Sequence, residues 1–411
     1  MGLDRKQNWH TTEVLRAHSN IVMAAIALIL AMVVAKDTAV LALRTRAPDL
    51  ALALDQNDPV ALANQFDSKF VLDQGSAVDA RLEARARAAL SQNPLSSGAA
   101  RIIGLAREEA GDYGQARKLM FLSERISRRD SITQLWLIEN WVAKGDALRT
   151  LDHYDRLLSV NPQSGQLLYP ILLSALGDPD IRAGLVPFAR RNRVWVTDFL
   201  RYSISNAADL DVVVSFFDEY GGSEVVAEHV PLETALIDRL VALGKAPQAV
   251  SSARRLARNE PNILNDFAMT TRSFNPALGP LGWTIGDTQG VDADLLGGAG
   301  LRVRVAGDAR GIAAHRTMVL GAGHWNLSFY AKTDAEDDAG SIAWNARCLT
   351  GDVRDVIWTY PVKLSNRKKA YWAGFEIPAA CNAITFQLVA DGSGSAALME
   401  IAVDGLRLRR Q

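Results

Sequence analysis

Gly111-Asp112-Tyr113-Gly114-Gln115-Ala116 separates two segments of helical apolar periodicity, and Gly145-Asp146 repeats the opening pair further along the chain. Pro94 and Pro162 stand apart by twice that interval, and the steps Gly145 to Pro162 and Gly244 to Pro261 are equal, each half of it. Glycine ends one helix and proline the next, because neither suits a helix interior. A fixed interval of about 34 residues is the mark of stacked helix pairs.

Other positions fall into the same frame. Ala116 follows Gly111-Asp112-Tyr113 where two helices approach closely, and Ala249 follows Gly244 in the same way. Gly104, Leu137, Trp141, Ala89 and Tyr154 occupy small, large apolar and aromatic positions of the pattern. The chain here resembles a tetratricopeptide-type α-solenoid, with repeats near 63–96, 97–130, 131–164 and 230–263. Arg128 stands where the pattern has proline and Thr150 where it has alanine; residues 165–229 lose the pattern but still read as helical, as in Val212 to Phe217. The resemblance implies a concave groove for a protein partner. Arg125, Arg128 and Arg129, then Arg190, Arg191 and Arg193, form basic clusters that read first as solvated helix faces.

Toward the N-terminus, Ile21 to Ala35 run without a charge, and Ser19 and Asn20 lengthen the uncharged stretch. It then reaches the short end of the roughly 17–25 residues that span a bilayer as a helix. The flanking charges, Arg5, Lys6 and Arg16 before and Lys36, Arg44 and Arg46 after, give little orientation. A signal anchor is favoured by the long segment ahead of the apolar run, and a cleaved signal peptide ending at Val33-Val34-Ala35 is the alternative. Either places the bulk of the chain in the periplasm of a bacterium, in the first case as a single-pass inner-membrane protein.

Toward the C-terminus the texture changes. Residues 271–411 hold 17 of the 30 glycines and five of the nine tryptophans. Period-2 runs recur at Leu301 to Val305, Trp325 to Tyr330, Ile342 to Asn345, Val356 to Tyr360, Tyr371 to Ile377, Ala383 to Val389 and Leu398 to Leu408. About eight short strands with glycine-rich turns read as an antiparallel β-sandwich of jelly-roll type. Phe274-Asn275-Pro276 and Gly282-Trp283 look like an entry strand, Gly323 to Lys332 like a core strand, Phe375-Glu376-Ile377-Pro378 like a strand end and Ile401 to Leu408 like a closing strand. In this order they resemble carbohydrate-binding modules of families four and nine, which implies a sandwich with an aromatic sugar platform.

Sugar rings need aromatic faces for their apolar patches and polar groups for their hydroxyls. Trp325 alternates with Leu327 and Phe329 and reads as core, which leaves Trp344, Trp358, Tyr360, Arg347 and Arg354 as candidate carbohydrate contacts. For each of them packing is the competing role. Cys348 and Cys381 are a candidate disulfide on expected neighbouring strands, with two buried thiols as the alternative.

Composition excludes several classes. With 45 Lys+Arg against 46 Asp+Glu, a net charge of −1 supplies no overall field for nucleic acid. Two cysteines and six scattered histidines form no metal motif, and no Walker loop, dinucleotide fingerprint or nucleophile elbow is present. The acidic run Asp334, Glu336, Asp337, Asp338 reads as a solvated turn. No cofactor, metal or catalytic residue is expected.

The expected organisation is multidomain α + β: a cytoplasmic tail at 1–20, a transmembrane anchor at 21–43, a helical repeat domain at 47–264 and a β-sandwich at 271–411. By resemblance this is a non-catalytic periplasmic scaffold of an exopolysaccharide biosynthesis or export system. Its helices would hold a protein partner and its sandwich a glycan or another subunit. A polysaccharide lyase or hydrolase of the same pathway is the alternative.

Overall fold

The computed structural model describes residues 4–72, 78–221, 229–334, 340–349, 355–392 and 398–411, with side chains described from residue 22 onward and not at 70–72. The chain divides into two compact units, Met1–Ser164 and Gly165–Gln411.

The first unit is helical. Helix α1 runs from Asp4 to Leu43, so the residues ahead of the apolar run continue the same helix. Its Val22–Leu43 portion, with mean hydropathy 2.2, is long and apolar enough to cross a membrane, a property that a signal sequence near the N-terminus shares. Among the described residues seven further helices follow: α2 Pro48–Leu54, α3 Pro59–Leu72, α4 Ala80–Gln92, α5 Ser97–Glu109, α6 Tyr113–Ile126, α7 Ser131–Val142 and α8 Ala147–Val160. They pack as sequential neighbours, most extensively α5 on α6 and α7 on α8.

Local chemistry explains these boundaries. The side chains of Asp79, Ser96, Asp112, Asp130 and Asp146 each accept from a backbone N–H of the following helix's first turn. Gly111 and Gly145 lie at φ 78° and 68°, a conformation that a side chain disfavours. The next residue then donates backward over the helix end, Asp112 N–H to Arg107 O at 2.8 Å and Asp146 N–H to Trp141 O at 3.0 Å. Each Gly-Asp pair therefore closes one helix and caps the next. Close approach is built from small residues: a Cβ on Gly98 would lie 2.4 Å from Cβ of Ala63. The buried guanidinium of Arg101 joins three helices, pairing with Asp67 of α3 and, at 2.9 Å, with Asp130 at the start of α7.

The second unit opens with α9 Gly165–Ala175, α10 Pro179–Arg190, α11 Val194–Asn206, α12 Asp211–Tyr220, α13 Val230–Ala242 and α14 Ala246–Leu256. Trp195, Phe199, Phe216, Phe217 and Leu236 fill the interior between them. Gly244, at φ 74°, repeats the backward bond of the glycine turns, Lys245 N–H reaching Leu240 O at 2.8 Å.

Among the described residues ten strands follow: β1 Thr284–Ile285, β2 Val291–Leu295, β3 Leu301–Val305, β4 Arg310–Met318, β5 Gly323–Thr333, β6 Ser341–Cys348, β7 Val356–Lys363, β8 Lys369–Ile377, β9 Ile384–Asp391 and β10 Met399–Arg410. They form two five-stranded antiparallel sheets, β1-β4-β9-β6-β7 and β2-β3-β10-β5-β8. Alternation sets the two faces: Ile342, Trp344, Ala346 and Cys348 of β6 point inward with Ile384, Phe386, Leu388 and Ala390 of β9. The inner faces and Phe267, Trp283 and Met269 share one hydrophobic core.

The expected entry strand at Phe274-Asn275-Pro276 is instead a 3₁₀ turn over Pro276–Leu281. Asn275 accepts there from Ala277 N–H at 3.0 Å, and proline's missing N–H favours a turn over a ladder. Gly282-Trp283 likewise precedes β1, with the Trp283 ring in the core. A disulfide joins Cys348 to Cys381, their Cα atoms 5.8 Å apart. Cys348 ends β6, but Cys381 lies in the β8–β9 connection and not on a strand as expected.

Candidate functional site

The sequence-based candidates on β6 and β7 separate when placed in the sandwich. Trp344 has no exposed surface; its ring packs against Phe267, Trp283 and Phe329. It is therefore a core residue and not a sugar platform, because inward alternation on a central strand buries it completely. Trp358 and Tyr360 also turn inward, opposite Ala346 and Trp344. Trp358 stacks on Phe375 at 4.7 Å and on Tyr360 at 5.9 Å, so these rings close the edge between β7 and β8. Arg347 points to the outer face of its sheet, and Arg354 lies outside the described residues. Of the acidic run, only Asp334 lies within them; its side chain accepts from Glu400 N–H at 2.7 Å.

The outer face of the β1-β4-β9-β6-β7 sheet is polar. Register aligns His315, Gln387, Asn345 and Thr359 in one row, with Thr359 and Asn345 hydrogen-bonded at 3.0 Å. The next row holds Thr317, Thr385 and Arg347, the two threonine hydroxyls 2.8 Å apart. Burial holds the His315 imidazole below the ordinary histidine range, so its row is uncharged at neutral pH and the charge of the two rows is that of Arg347. Among the described residues the two rows carry no Trp, Tyr or Phe ring.

The rings are on the other sheet. Trp372 of β8 is 73% exposed and Tyr330 of β5 is 45% exposed, both on the outer face of the β2-β3-β10-β5-β8 sheet. Register places Trp372 beside Ser328 and Ser328 beside Arg407; one row on, Gly374, Asn326 and Arg409 align in the same way. Ala370, Gly374 and Ala402 leave the surroundings of the rings low. A bulge in β10 between Asp404 and Arg407 contains Gly405, at φ 66°, where a Cβ would meet the Tyr330 ring at 2.8 Å. Lys368 Nζ stands 5.0 Å from the centre of that ring and 2.7 Å from Asp404. The face thus presents one open indole, one partly covered phenol and a border of amides, hydroxyls and cations.

Trp372 was not among the sequence candidates, although its signal was present. Tyr371, Phe375 and Ile377 share one parity of β8, which places Trp372, Gly374 and Glu376 on the opposite, solvent-facing side.

Among its described residues the helical unit of residues 1–164 bears several grooves. One, of about 560 Å³, has Leu90, Ile103 and Leu119 as its floor and Arg87, Arg107 and Gln115 around it. Another, of about 530 Å³, runs past Asn64, Asp67, Arg101, Arg129 and Asp130. Among the described residues, no group of three or more His, Cys, Asp or Glu side chains is placed to hold a metal ion.

No family model matches the chain, and no curated protein matches it. Solved structures similar to part of it include a family 4 carbohydrate-binding module, at 20% identity and TM-score 0.24 over 33% of this chain and 100% of that one. A family 16 carbohydrate-binding module gives 15% identity and TM-score 0.25 over 31% of this chain and 91% of that one. The CBM22-1 xylan-binding domain of Xyn10C from Paenibacillus barcinonensis gives 14% and 0.24 over 32% and 86%.

Proposed function

We propose that this chain is a non-catalytic, membrane-anchored scaffold whose β-sandwich contacts glycan through the outer face of the β2-β3-β10-β5-β8 sheet. The observation that carries the reading is the exposed indole of Trp372, with Tyr330 one row away on the adjacent strand. Tryptophan and tyrosine combine an apolar ring with a polar group and are enriched where proteins meet partners, and here two such rings share one exposed sheet face. An indole face suits the apolar C–H patch of a sugar ring, and Ser328, Asn326 and Arg409 supply partners for hydroxyls.

The remaining parts fit the same role. α1 is the anchor, and the helix pairs between α3 and α8, read as tetratricopeptide-like, hold a protein partner in a groove such as that at Arg101 and Asp130. A periplasmic place in exopolysaccharide biosynthesis or export joins anchor, partner and glycan in one chain. The test is a polysaccharide microarray probed with the full chain in a non-glycosidic detergent. The wild type should bind at least one polymer, Trp372→Ala should lose that binding, and Trp344→Phe should keep it. Absence of wild-type binding, or survival of binding in Trp372→Ala, would overturn the reading.

A further inference from the structure

Charge is unevenly distributed on the Trp372 face. At the β2–β3 end, Arg304 pairs with Asp292 at 2.7 Å and with Asp294 at 3.2 Å, and Arg302 lies 3.6 Å from Glu400. At the β10–β5–β8 end, Lys368 is neutralised by Asp404, but Arg407, Arg409 and Lys332 have no ion-pair partner among the described residues. Glu376, at the strand end beside His324, is the acidic side chain left on that half. Arg407 lies in the row of the exposed indole and Arg409 in the next, while Lys332 and Glu376 stand two rows away on opposite sides.

We infer that the glycan held at Trp372 is an acidic polysaccharide whose carboxylates pair with Arg407 and Arg409. This rests on the reading of Trp372 as a glycan contact and adds the chemical class of the ligand. Strands lie about 4.8 Å apart, so Arg407, two strands across from Trp372 with only Ser328 between, starts about 10 Å away. Its extended side chain then reaches a substituent of the sugar next to the one stacked on the indole. Ser328 and Gly374 leave that path unobstructed. A guanidinium matches a carboxylate with two parallel hydrogen bonds, stronger than any bond it makes to a hydroxyl. A neutral glycan gives these cations no counter-charge, and their mutual repulsion would stay uncompensated. Single-stranded nucleic acid also combines rings with anions, but it stacks successive bases on several rings, and this face offers one open indole and a phenol partly covered by Lys368.

The test measures affinities of the full chain in a non-glycosidic detergent for polygalacturonate, alginate and hyaluronan. Each is compared with its carboxyl-reduced form, and an oligothymidylate serves as the nucleic-acid probe. At least one acidic polymer should bind about tenfold or more tightly than its reduced form. That preference should shrink with added salt and vanish in Arg407→Gln/Arg409→Gln. The exposed positions make this variant a safe one for folding, checked by an unchanged melting temperature. Equal binding of acidic and reduced forms would overturn the acidic assignment while leaving glycan contact standing. Tighter binding of the oligothymidylate would overturn it in favour of nucleic acid. Loss of every polymer in the wild type would remove the glycan reading itself.

Discussion

Arg316 of β4 donates through Nη2 to the carbonyl oxygen of Ile263 at 2.6 Å, across 53 residues of sequence. The same buried guanidinium donates through Nε to Leu281 O at 2.9 Å and through Nη1 to Asp266 O. One side chain thus collects three carbonyls from the segment that links the last helices to the sandwich. Burial brings its pKa down to about 10, which leaves it protonated and donating at neutral pH. Arg316→Met keeps the volume and deletes the donors, stranding three buried acceptors. A loss of about 3 kcal/mol or more in denaturant unfolding of the second unit is expected.

His153 supplies a pH dependence in the first unit. Burial, and then the Arg156 guanidinium 3.3 Å away, lower its pKa from 6.5 to about 4, against the opposing carboxylate of Glu124 at 3.9 Å. Its Nδ1 donates to Gln134 Oε1 at 2.7 Å. In the unfolded chain the imidazole takes a proton near 6.5, while the folded one resists until about 4. The unfolded state therefore binds more protons in that window, and stability falls as pH drops from 6.5 toward 4. The loss approaches about 3 kcal/mol by the lower limit. His153→Gln should flatten the curve over this interval in pH-dependent chemical denaturation.

The Gly-Asp pairs make a third prediction, one that also shows what was legible in the sequence. Asp112 and Asp146 cap α6 and α8 through Gln115 N–H and Arg149 N–H. Alanine at either should cost about 1 kcal/mol. Gly145→Ala should cost about 1–2 kcal/mol because φ is positive there. The additive loss in Asp112→Ala/Asp146→Ala, two caps one helix pair apart, is read by thermal unfolding.

These turns could be read directly because a left-handed φ and a helix end both constrain residue type locally. The strand pattern was legible for the same reason: side-chain alternation has period 2, as in Ile342, Trp344 and Ala346. What escaped depends on tertiary placement. Trp344 and Trp372 are chemically alike, and only the position of each strand and the parity of each residue decide that one is core and the other exposed. Nothing local distinguishes Arg316, a buried tie between helices and sandwich, from the exposed Arg407. Proline at 276 carried the signal against an entry strand, since it cannot complete a ladder.

The disulfide gives the last prediction, which bears on where the chain resides. Cys348 and Cys381 enclose a loop of 33 residues that contains all of β7 and β8, the strand of Trp372. Closing a loop of that size removes freedom from the unfolded chain and stabilises by about 4 kcal/mol. Cys348→Ser/Cys381→Ser should therefore lower the sandwich's midpoint in denaturant, and reductant should shift the wild type by the same amount. Because the bridge does not touch the outer face, glycan affinity below the midpoint should be unchanged. In cells, mass spectrometry after alkylation should find both thiols protected when the chain is exported. Free, alkylated thiols on correctly folded protein would place this domain in a reducing compartment. That outcome would remove the periplasmic assignment while leaving the sheet faces as they are.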